Sequence, residues 1–241
     1  MSRKIIAHLS GVDSVMRDLI AAAGPYRIRV DAACPPFQVL ARAIAHQQLN
    51  GTAANTILGR FVASCGDGSF PTPQAVLAAN ETVLRAAGFS FAKIASLRDL
   101  AAKTLEGVVP SREVLIELEN EVIIERLTQV RGIGRWTVEM LLIFRLGRPD
   151  VLAVDDYGVR KGYAKMHRLD ELPKPKDLQE LGENWRPHRS VACWYMWRAA
   201  EMKDLPEPGA AAKQAAKLAA RAKPQKTVKK KKSAKPKQKK R

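Results

Sequence analysis

The amino-acid sequence predicts an all-α fold. Apolar residues recur at the three- and four-residue spacing of helix faces along most of the chain up to about residue 200. The alternation of apolar and polar residues that marks half-buried strands is nearly absent. Short polar stretches containing proline, glycine, asparagine or threonine separate the apolar runs. Together these observations predict many short helices joined by brief connections.

The first predicted helices follow residues that can begin a helix. Pro35-Pro36 offers an N-terminus for a helix whose apolar face passes through residues 37, 40, 41 and 44 and ends at Gln47-Gln48. Thr52 or Asn55 is expected to cap the next helix, which ends near 65 or 66. Further helices are expected after Thr72-Pro73, at 81–87, at about 92–105 and within 112–129, the last as one run or two.

A glycine-rich hairpin follows at 127–136. One helix is expected to end at Val130 or Arg131, and the next to begin at about Gly134. Gly132-Ile133-Gly134 forms the turn, with Ile133 packed between the helices. Free backbone N–H groups at such a turn suit a phosphate oxygen, although a plain turn between two helices with no ligand remains open.

A carboxylate pair lies downstream of the hairpin. Residues 136, 140, 143 and 144 give the next helix a strongly apolar face. A short extended stretch is predicted at 150–154, and Asp155-Asp156 then begins a new helix. Two aspartates at a helix start can be explained by capping alone. Their position 20 residues after Trp136, behind a candidate DNA-binding hairpin, makes a catalytic carboxylate the alternative.

The charge of the chain is concentrated at its C-terminal end. The formal net charge of the 241 residues is +17, and 14 basic residues with no acidic residue lie from Gly209 onward, so residues 1–208 carry +3. This end has one leucine and one valine as its large apolar residues, so it is expected to be disordered when free. DNA is the polyanion that such a tail is expected to bind. A role in solubility alone, or contacts with RNA or acidic lipid, stay open.

Other classes of protein are excluded by composition. Cys34, Cys65 and Cys193 are too few and too scattered for a disulfide framework or a zinc site, and the chain has no Cys-x-x-Cys pair for an iron–sulfur cluster. No apolar run approaches the roughly 20 residues of a membrane span. We therefore expect no membrane partner and a cytoplasmic, nucleoid-associated protein.

Four blocks of the sequence resemble the helix-hairpin-helix superfamily of DNA glycosylases, in its alkylbase (3-methyladenine DNA glycosylase II) branch. They are the segment from 36 through Gln47-Gln48-Leu49, the hairpin at 130–136, Val154-Asp155-Asp156-Tyr157, and 185–197 with its Trp-Arg-Pro-His-Arg-Ser start. The resemblance covers most of residues 30–200. It implies a glycosylase domain of two helical lobes with a cleft between them over 1–205, followed by a disordered tail over 206–241.

The resemblance also implies roles for individual residues. Register from the hairpin tryptophan places the essential aspartate at Asp156 and leaves Asp155 as the supporting cap, with Asp155 as the alternative for the essential role. Bifunctional members carry a lysine nucleophile where this chain has Trp136, so base release without strand cleavage is implied. The implied base pocket comprises Trp136, Met140, Trp197 and Phe37, the intercalating residue is Gln47 or Gln48, and DNA phosphate lies on Val130, Gly132, Ile133, Gly134 and Arg135.

The implied activity is that of a monofunctional DNA glycosylase. It would hydrolyse the N-glycosidic bond of alkylated bases, of the 3-methyladenine or 7-methylguanine type, in double-stranded DNA. No cofactor or catalytic metal is expected, a structural monovalent cation at the hairpin is possible, and the protein is expected to be a monomer. Two rivals remain at this point, namely a non-catalytic nucleoid protein and a glycosylase for deaminated or oxidised bases.

Overall fold

The computed structural model describes residues 3–210, and within this range the regular structure is entirely helical, which confirms the predicted class. A π-helical turn over Leu142–Leu146 continues α10, and a 3₁₀ turn over Gly182–Trp185 precedes α13. In chain order the α-helices are α1 (Arg3–Val12), α2 (Ser14–Ala23), α3 (Pro36–His46), α4 (Gly51–Cys65), α5 (Pro73–Ala78), α6 (Glu81–Ala87), α7 (Phe91–Leu105), α8 (Arg112–Ile116), α9 (Asn120–Leu127), α10 (Arg135–Leu141), α11 (Tyr157–Met166), α12 (Pro175–Leu181) and α13 (Arg189–Glu201).

The helices fall into two groups, each built around its own hydrophobic core. The buried side chains of α3 to α10 form one core, and those of α1, α2 and α11 to α13 form the other. The chain therefore closes the second core by bringing its first two helices back against its last three. Met140 and Trp197 pack against both cores, which places them at the junction.

Helices α1 and α2 were not predicted from the sequence. Each is only 10 residues long, and each gains its place by packing rather than by propensity. Asp13 is the local signal that was available, because its carboxylate caps α2 by accepting from the N–H groups of Val15 and Met16. Leu9, Met16 and Leu19 are buried in the second core.

Several predicted helix limits need correction. Helix α4 is capped by Asn50, which accepts from the Ala53 N–H, and not by Thr52 or Asn55. Gly51 can follow the cap directly, so the helix begins earlier than predicted. Helix α9 ends at Leu127 rather than at Val130 or Arg131, because residues 128–134 form the turn of the hairpin.

The first residues of the predicted tail, 206–210, lie within the described range. Two of them contact the domain: the Gly209 N–H donates to Asp18 at 2.6 Å, and Glu207 forms an ion pair with Arg168. The rest of the predicted tail, residues 211–241, lies outside the described residues. Within 3–210, none of the helices is both long enough and apolar enough to span a bilayer.

Candidate active site

Asp156 is the N-terminal cap of α11. Its Oδ1 atom accepts a hydrogen bond from the Val159 N–H at 2.7 Å. The expectation that Asp155 provides the cap is therefore wrong; its side chain is exposed to solvent. The cap falls one residue later because the chain turns at 154–155 before α11 begins at Tyr157.

The extended segment that delivers Asp156 is clamped to the start of α13. Arg189 donates to Asp150 through Nε at 2.7 Å, and Arg186 donates to the same carboxylate through Nη1 at 2.6 Å. These two guanidinium groups hold the pKa of Asp150 below its ordinary value, although burial opposes them. The Ser190 hydroxyl accepts from the Val151 N–H at 3.0 Å. The backbone leading to Asp156 is thus fixed by a second helix.

Two tryptophans donate to the Asp156 carboxylate. The Trp136 Nε1–H reaches Oδ2 at 2.8 Å, and the Trp197 Nε1–H reaches Oδ1 at 2.8 Å. Trp136 comes from the hairpin helix and Trp197 from α13. The structure therefore brings together three of the residues that the sequence singled out, on three different helices.

A pocket of about 860 Å³ is connected to this carboxylate through Trp136, which lines the pocket and donates to Asp156, whereas Asp156 itself is not among the lining residues. The pocket lies between the end of α3, the start of α7 and the face of α10, and Trp136 and Met140 are among its lining residues. Phe144 also lines it, which the sequence analysis missed even though Phe144 follows Met140 by one helical turn. Trp136 is 47% exposed, so its ring is open to a ligand.

Two predicted pocket residues lie elsewhere. Phe37 is buried in the first core, where its ring packs edge-on against Phe70 at 6.4 Å, so its assignment to the pocket lining is wrong. Its place on the inner face of α3 explains this, because the same face carries Leu40. Trp197 stacks behind Phe144, with ring centroids 5.5 Å apart, and is not among the residues that line the pocket.

The two glutamines at the end of α3 differ in what they contact. The Gln47 Nε2 atom donates to the Gly132 carbonyl of the hairpin at 2.7 Å. Gln48 is exposed, with a left-handed backbone (φ 57°), and lines the pocket rim. Lys93 supports this turn by donating to the carbonyls of Ala45 and Gln47 at 2.7 and 2.9 Å, and burial lowers its pKa. The sequence analysis did not identify Lys93.

The hairpin turn is held from helix α7. The Asp99 carboxylate accepts from the Arg131 N–H at 2.7 Å, and Lys103 donates to the Gln129 carbonyl. Gly132 has φ 78°, and a Cβ there would lie 2.9 Å from the Ser96 Oγ. Glycine is therefore required at 132 for both conformation and space.

The predicted phosphate-binding residues offer mainly backbone. Val130 and Ile133 are buried, with 1% and 4% of their surface exposed, so their side chains belong to the core. The N–H groups of Gly132 and Gly134 have no acceptor within residues 3–210. The Gln129 and Gly132 carbonyls each accept one hydrogen bond, from Lys103 and Gln47 respectively.

Arg135 directs its guanidinium away from the turn. It binds Glu121 through both Nη atoms, at 3.0 and 2.6 Å, and donates to Glu139 through Nε at 3.1 Å. Two carboxylates thus engage this guanidinium, so the backbone N–H groups of the turn are the better candidates for a phosphate. Glu139 is buried, and burial raises its pKa to about 7 despite the neighbouring Arg135.

The fold, the hairpin and the carboxylate held by two tryptophans define a helix-hairpin-helix DNA repair protein. Residues 41–187 match the family model described as "HhH-GPD superfamily base excision DNA repair protein", and the chain belongs to this family. It is 43% identical over 202 residues to DNA-3-methyladenine glycosylase 1 of Schizosaccharomyces pombe, covering 83% of this chain and 89% of that protein. It is 28% identical over 178 residues to DNA-3-methyladenine glycosylase 2 of Escherichia coli, covering 70% of this chain and 60% of that protein.

Solved structures give the same relationship. The Schizosaccharomyces pombe 3-methyladenine DNA glycosylase in complex with abasic DNA matches with a TM-score of 0.75 and 42% identity, over 85% of this chain and 100% of that one. A DNA-3-methyladenine glycosidase from Bacillus halodurans matches with a TM-score of 0.74 and 34% identity, over 81% of this chain and 88% of that one. Shares of this size take in most of residues 3–210, so the likeness extends over the fold and not over the hairpin alone.

Proposed function

We propose that this protein is a monofunctional DNA glycosylase of base excision repair, which hydrolyses the N-glycosidic bond of alkylated bases in double-stranded DNA and leaves an abasic site. The observation that carries the proposal is the Asp156 carboxylate, which is fixed by Trp136 and Trp197, the first of which also lines an aromatic pocket. The 43% identical relative is named as a 3-methyladenine glycosylase, which supports the substrate class.

Asp156 would act through its charge. When the C1′–N bond breaks, its electron pair leaves with the base and positive charge develops on the deoxyribose. A fixed carboxylate stabilises that charge until water adds its oxygen to C1′ and loses a proton. Three N–H donors fix the position of the Asp156 carboxylate, whereas a carboxylate surrounded only by water would have no fixed position. This preorganisation is the protein's contribution to the rate.

The aromatic wall of the pocket, rather than the basic side chains of Arg42, Lys93 and Arg145 that also line it, suits a cationic base. A purine alkylated at N3 or N7 carries positive charge, and aromatic faces attract cations. Trp136 presents a half-exposed indole at the pocket, Phe144 lines the same wall, and Met140 adds a polarizable surface beside them. The base must leave the helical stack to reach this pocket. We assign Gln48, which is exposed at the rim, to fill the gap in the DNA, and Gln47 to brace the hairpin.

DNA is held at the hairpin by backbone and at the tail by charge. The unpaired N–H groups of Gly132 and Gly134 suit a phosphate oxygen. The 14 basic residues of the predicted tail supply affinity without sequence choice, while residues 1–208 carry only +3. We place the working enzyme on the chromosome, in the cytoplasm.

A direct assay tests the proposal. The protein is incubated with duplexes that each carry one 3-methyladenine, 7-methylguanine, hypoxanthine, uracil or 8-oxoguanine, and free base and alkali-labile sites are measured. The proposal expects release from the alkylated duplexes, with strand breaks only after alkali. Absence of release from every duplex would favour the non-catalytic nucleoid protein, and release confined to uracil, hypoxanthine or 8-oxoguanine would favour the rival glycosylases.

The monofunctional assignment has its own test. Trp136 stands where bifunctional relatives carry a lysine, and an indole cannot form a Schiff base with the sugar. Borohydride added during the reaction should trap no covalent protein–DNA adduct. A trapped adduct would overturn this part of the proposal.

A further inference from the structure

The two oxygens of the Asp156 carboxylate are not equivalent. Oδ1 accepts two hydrogen bonds, from the Val159 N–H at 2.7 Å and the Trp197 Nε1–H at 2.8 Å. Oδ2 accepts one, from the Trp136 Nε1–H at 2.8 Å. A carboxylate oxygen has two lone pairs. Oδ1 is therefore saturated, whereas Oδ2 keeps a lone pair for a substrate.

Trp197 is placed to hold this carboxylate rather than to receive a base. Its ring stacks on Phe144 with centroids 5.5 Å apart, and Phe144 separates it from the pocket that Trp136 lines. Trp197 packs against both hydrophobic cores, so its ring is fixed on more than one side. A fixed ring gives its N–H a fixed direction.

Two glycines of α11 allow Trp197 to reach Asp156. A Cβ on Gly162 would lie 1.8 Å from the Met196 carbonyl oxygen, so only glycine permits this approach of α11 to α13. A Cβ on Gly158 would lie 2.8 Å from the Trp197 Cδ1 and 3.1 Å from the Asp156 Oδ1. The close packing of the two helices thus sets the distance between the indole and the carboxylate.

We propose that Trp197 is a positioning residue, which saturates and fixes Oδ1 of Asp156 so that Oδ2 faces the sugar. This proposal rests on the proposed function, because it assumes that Asp156 stabilises the cationic sugar. It replaces the expectation that Trp197 is a wall of the base pocket. Trp197 touches neither base nor sugar; it acts through the carboxylate alone.

The test separates the N–H group from the ring. Trp197→Phe keeps an aromatic ring against Phe144 and removes the donor. Trp194→Phe is the matched control: it lies on the same helix, packs edge-on against Tyr26 at 5.3 Å, and its indole makes no contact with Asp156. Both variants are compared with the unaltered protein in single-turnover base release from a methylated duplex, at saturating enzyme.

A second readout distinguishes positioning from folding. Affinity is measured for duplexes that carry either a neutral tetrahydrofuran or a cationic pyrrolidine in place of the damaged nucleoside. Trp197→Phe should slow base release about 10- to 100-fold, in keeping with loss of a hydrogen bond to a charged group. It should lower the affinity for the cationic duplex by a similar factor and leave the affinity for the neutral duplex unchanged. Trp194→Phe should change none of these values.

Gly158→Ala gives an independent variant if Trp197→Phe fails to fold. Its Cβ would press on both the indole and the Asp156 Oδ1 and so disturb the hydrogen bond between them without removing the N–H donor, whereas Gly59→Ala on α4 meets nothing within 4 Å and serves as its control. Gly158→Ala should also weaken binding of the cationic pyrrolidine duplex and leave binding of the neutral tetrahydrofuran duplex unchanged. Equal base release by Trp197→Phe and Trp194→Phe, or equal loss of both analogues, would overturn the positioning role. Failure of the unaltered protein to release base would instead overturn the proposed function.

Discussion

Gln47 and Gly132, 85 positions apart in the sequence, are joined by a hydrogen bond of 2.7 Å from the glutamine side-chain amide to the glycine carbonyl. This bond ties the end of α3 to the turn of the hairpin. It leaves the next residue, Gln48, exposed with φ 57°. Substitution of the two adjacent glutamines is therefore expected to have different effects: on base release for Gln48 and on stability for Gln47.

Gln48→Ala should impair base release from duplex DNA by roughly tenfold, because nothing then fills the gap left by an extruded base, and the few kcal/mol that unstacking and unpairing cost are no longer offset. Release from a single strand, which leaves no gap, should change little. Gln47→Ala should lower the free energy of unfolding by about 1 kcal/mol through loss of its hydrogen bond. These predictions are tested by the rates of base release from duplex and single-stranded DNA and by the thermal unfolding of both variants. A greater duplex-specific defect in Gln47→Ala would reverse the assignment.

Gly132→Ala should destabilise the protein by about 1–2 kcal/mol, since a side chain disfavours positive φ at this turn. The Ser96 hydroxyl adds a clash, because its oxygen lies 2.9 Å from the place that the new Cβ would take. Gly134→Ala is the matched control, because Gly134 has φ −96° and open space around it. Thermal unfolding and affinity for abasic duplex should both fall in Gly132→Ala more than in Gly134→Ala. Equal effects would show that the glycine is not required by conformation.

Stability should fall as pH rises towards neutrality, because of Glu139. Burial raises its pKa from 4.5 to about 7, so the folded protein binds this proton more tightly than the unfolded chain does. The stabilising contribution is full below about pH 4.5 and is lost as pH rises through 7, by about 3 kcal/mol.

Glu139→Gln isolates this effect, because it keeps an oxygen for the Arg135 Nε–H and cannot ionise. The difference in melting temperature between this variant and the unaltered protein should increase in favour of the variant from pH 5 to pH 8. Parallel profiles of melting temperature against pH for the two proteins would contradict the raised pKa of Glu139.

The fold class and the hairpin could be predicted from local patterns. Apolar spacing, cap residues and glycine positions act within a few residues, and the turn at Gly132-Ile133-Gly134 combines all three. The choice of Asp156 over Asp155 came from the resemblance to the glycosylase family and stays a prediction, whereas the role of cap was assigned to the wrong neighbour. Which residue caps the helix depends on where the chain bends. Because residues 155 and 156 are both aspartate, the sequence does not distinguish a cap at one from a cap at the other.

Contacts between distant segments could not be predicted. Helices α1 and α2 are fixed by the second core, which forms only when the two ends of the chain meet. The separation of Trp197 from the pocket by Phe144 depends on how α13 crosses the π-helical turn. Lys93 was missed because its acceptors are backbone carbonyls, which leave no trace in the sequence.

Removing residues 211–241 should weaken DNA binding and leave the chemistry unchanged. This segment holds the 14 basic residues of the predicted tail. The plot of log affinity against log salt should become shallower by about 0.9 for each phosphate that the protein no longer neutralises. Single-turnover base release at saturating enzyme should equal that of the full chain. An unchanged salt slope would indicate that the segment does not contact DNA.

Asp156→Asn tests most directly whether the Asp156 carboxylate stabilises the cationic sugar. Asparagine caps a helix as well as aspartate does, so the fold and the affinity for neutral abasic duplex should be retained. Asp155→Asn, at an exposed carboxylate, is the control and should release base at a rate near that of the unaltered protein. We expect release of 3-methyladenine by Asp156→Asn to fall about a thousandfold. Release at a rate near that of Asp155→Asn would contradict the account.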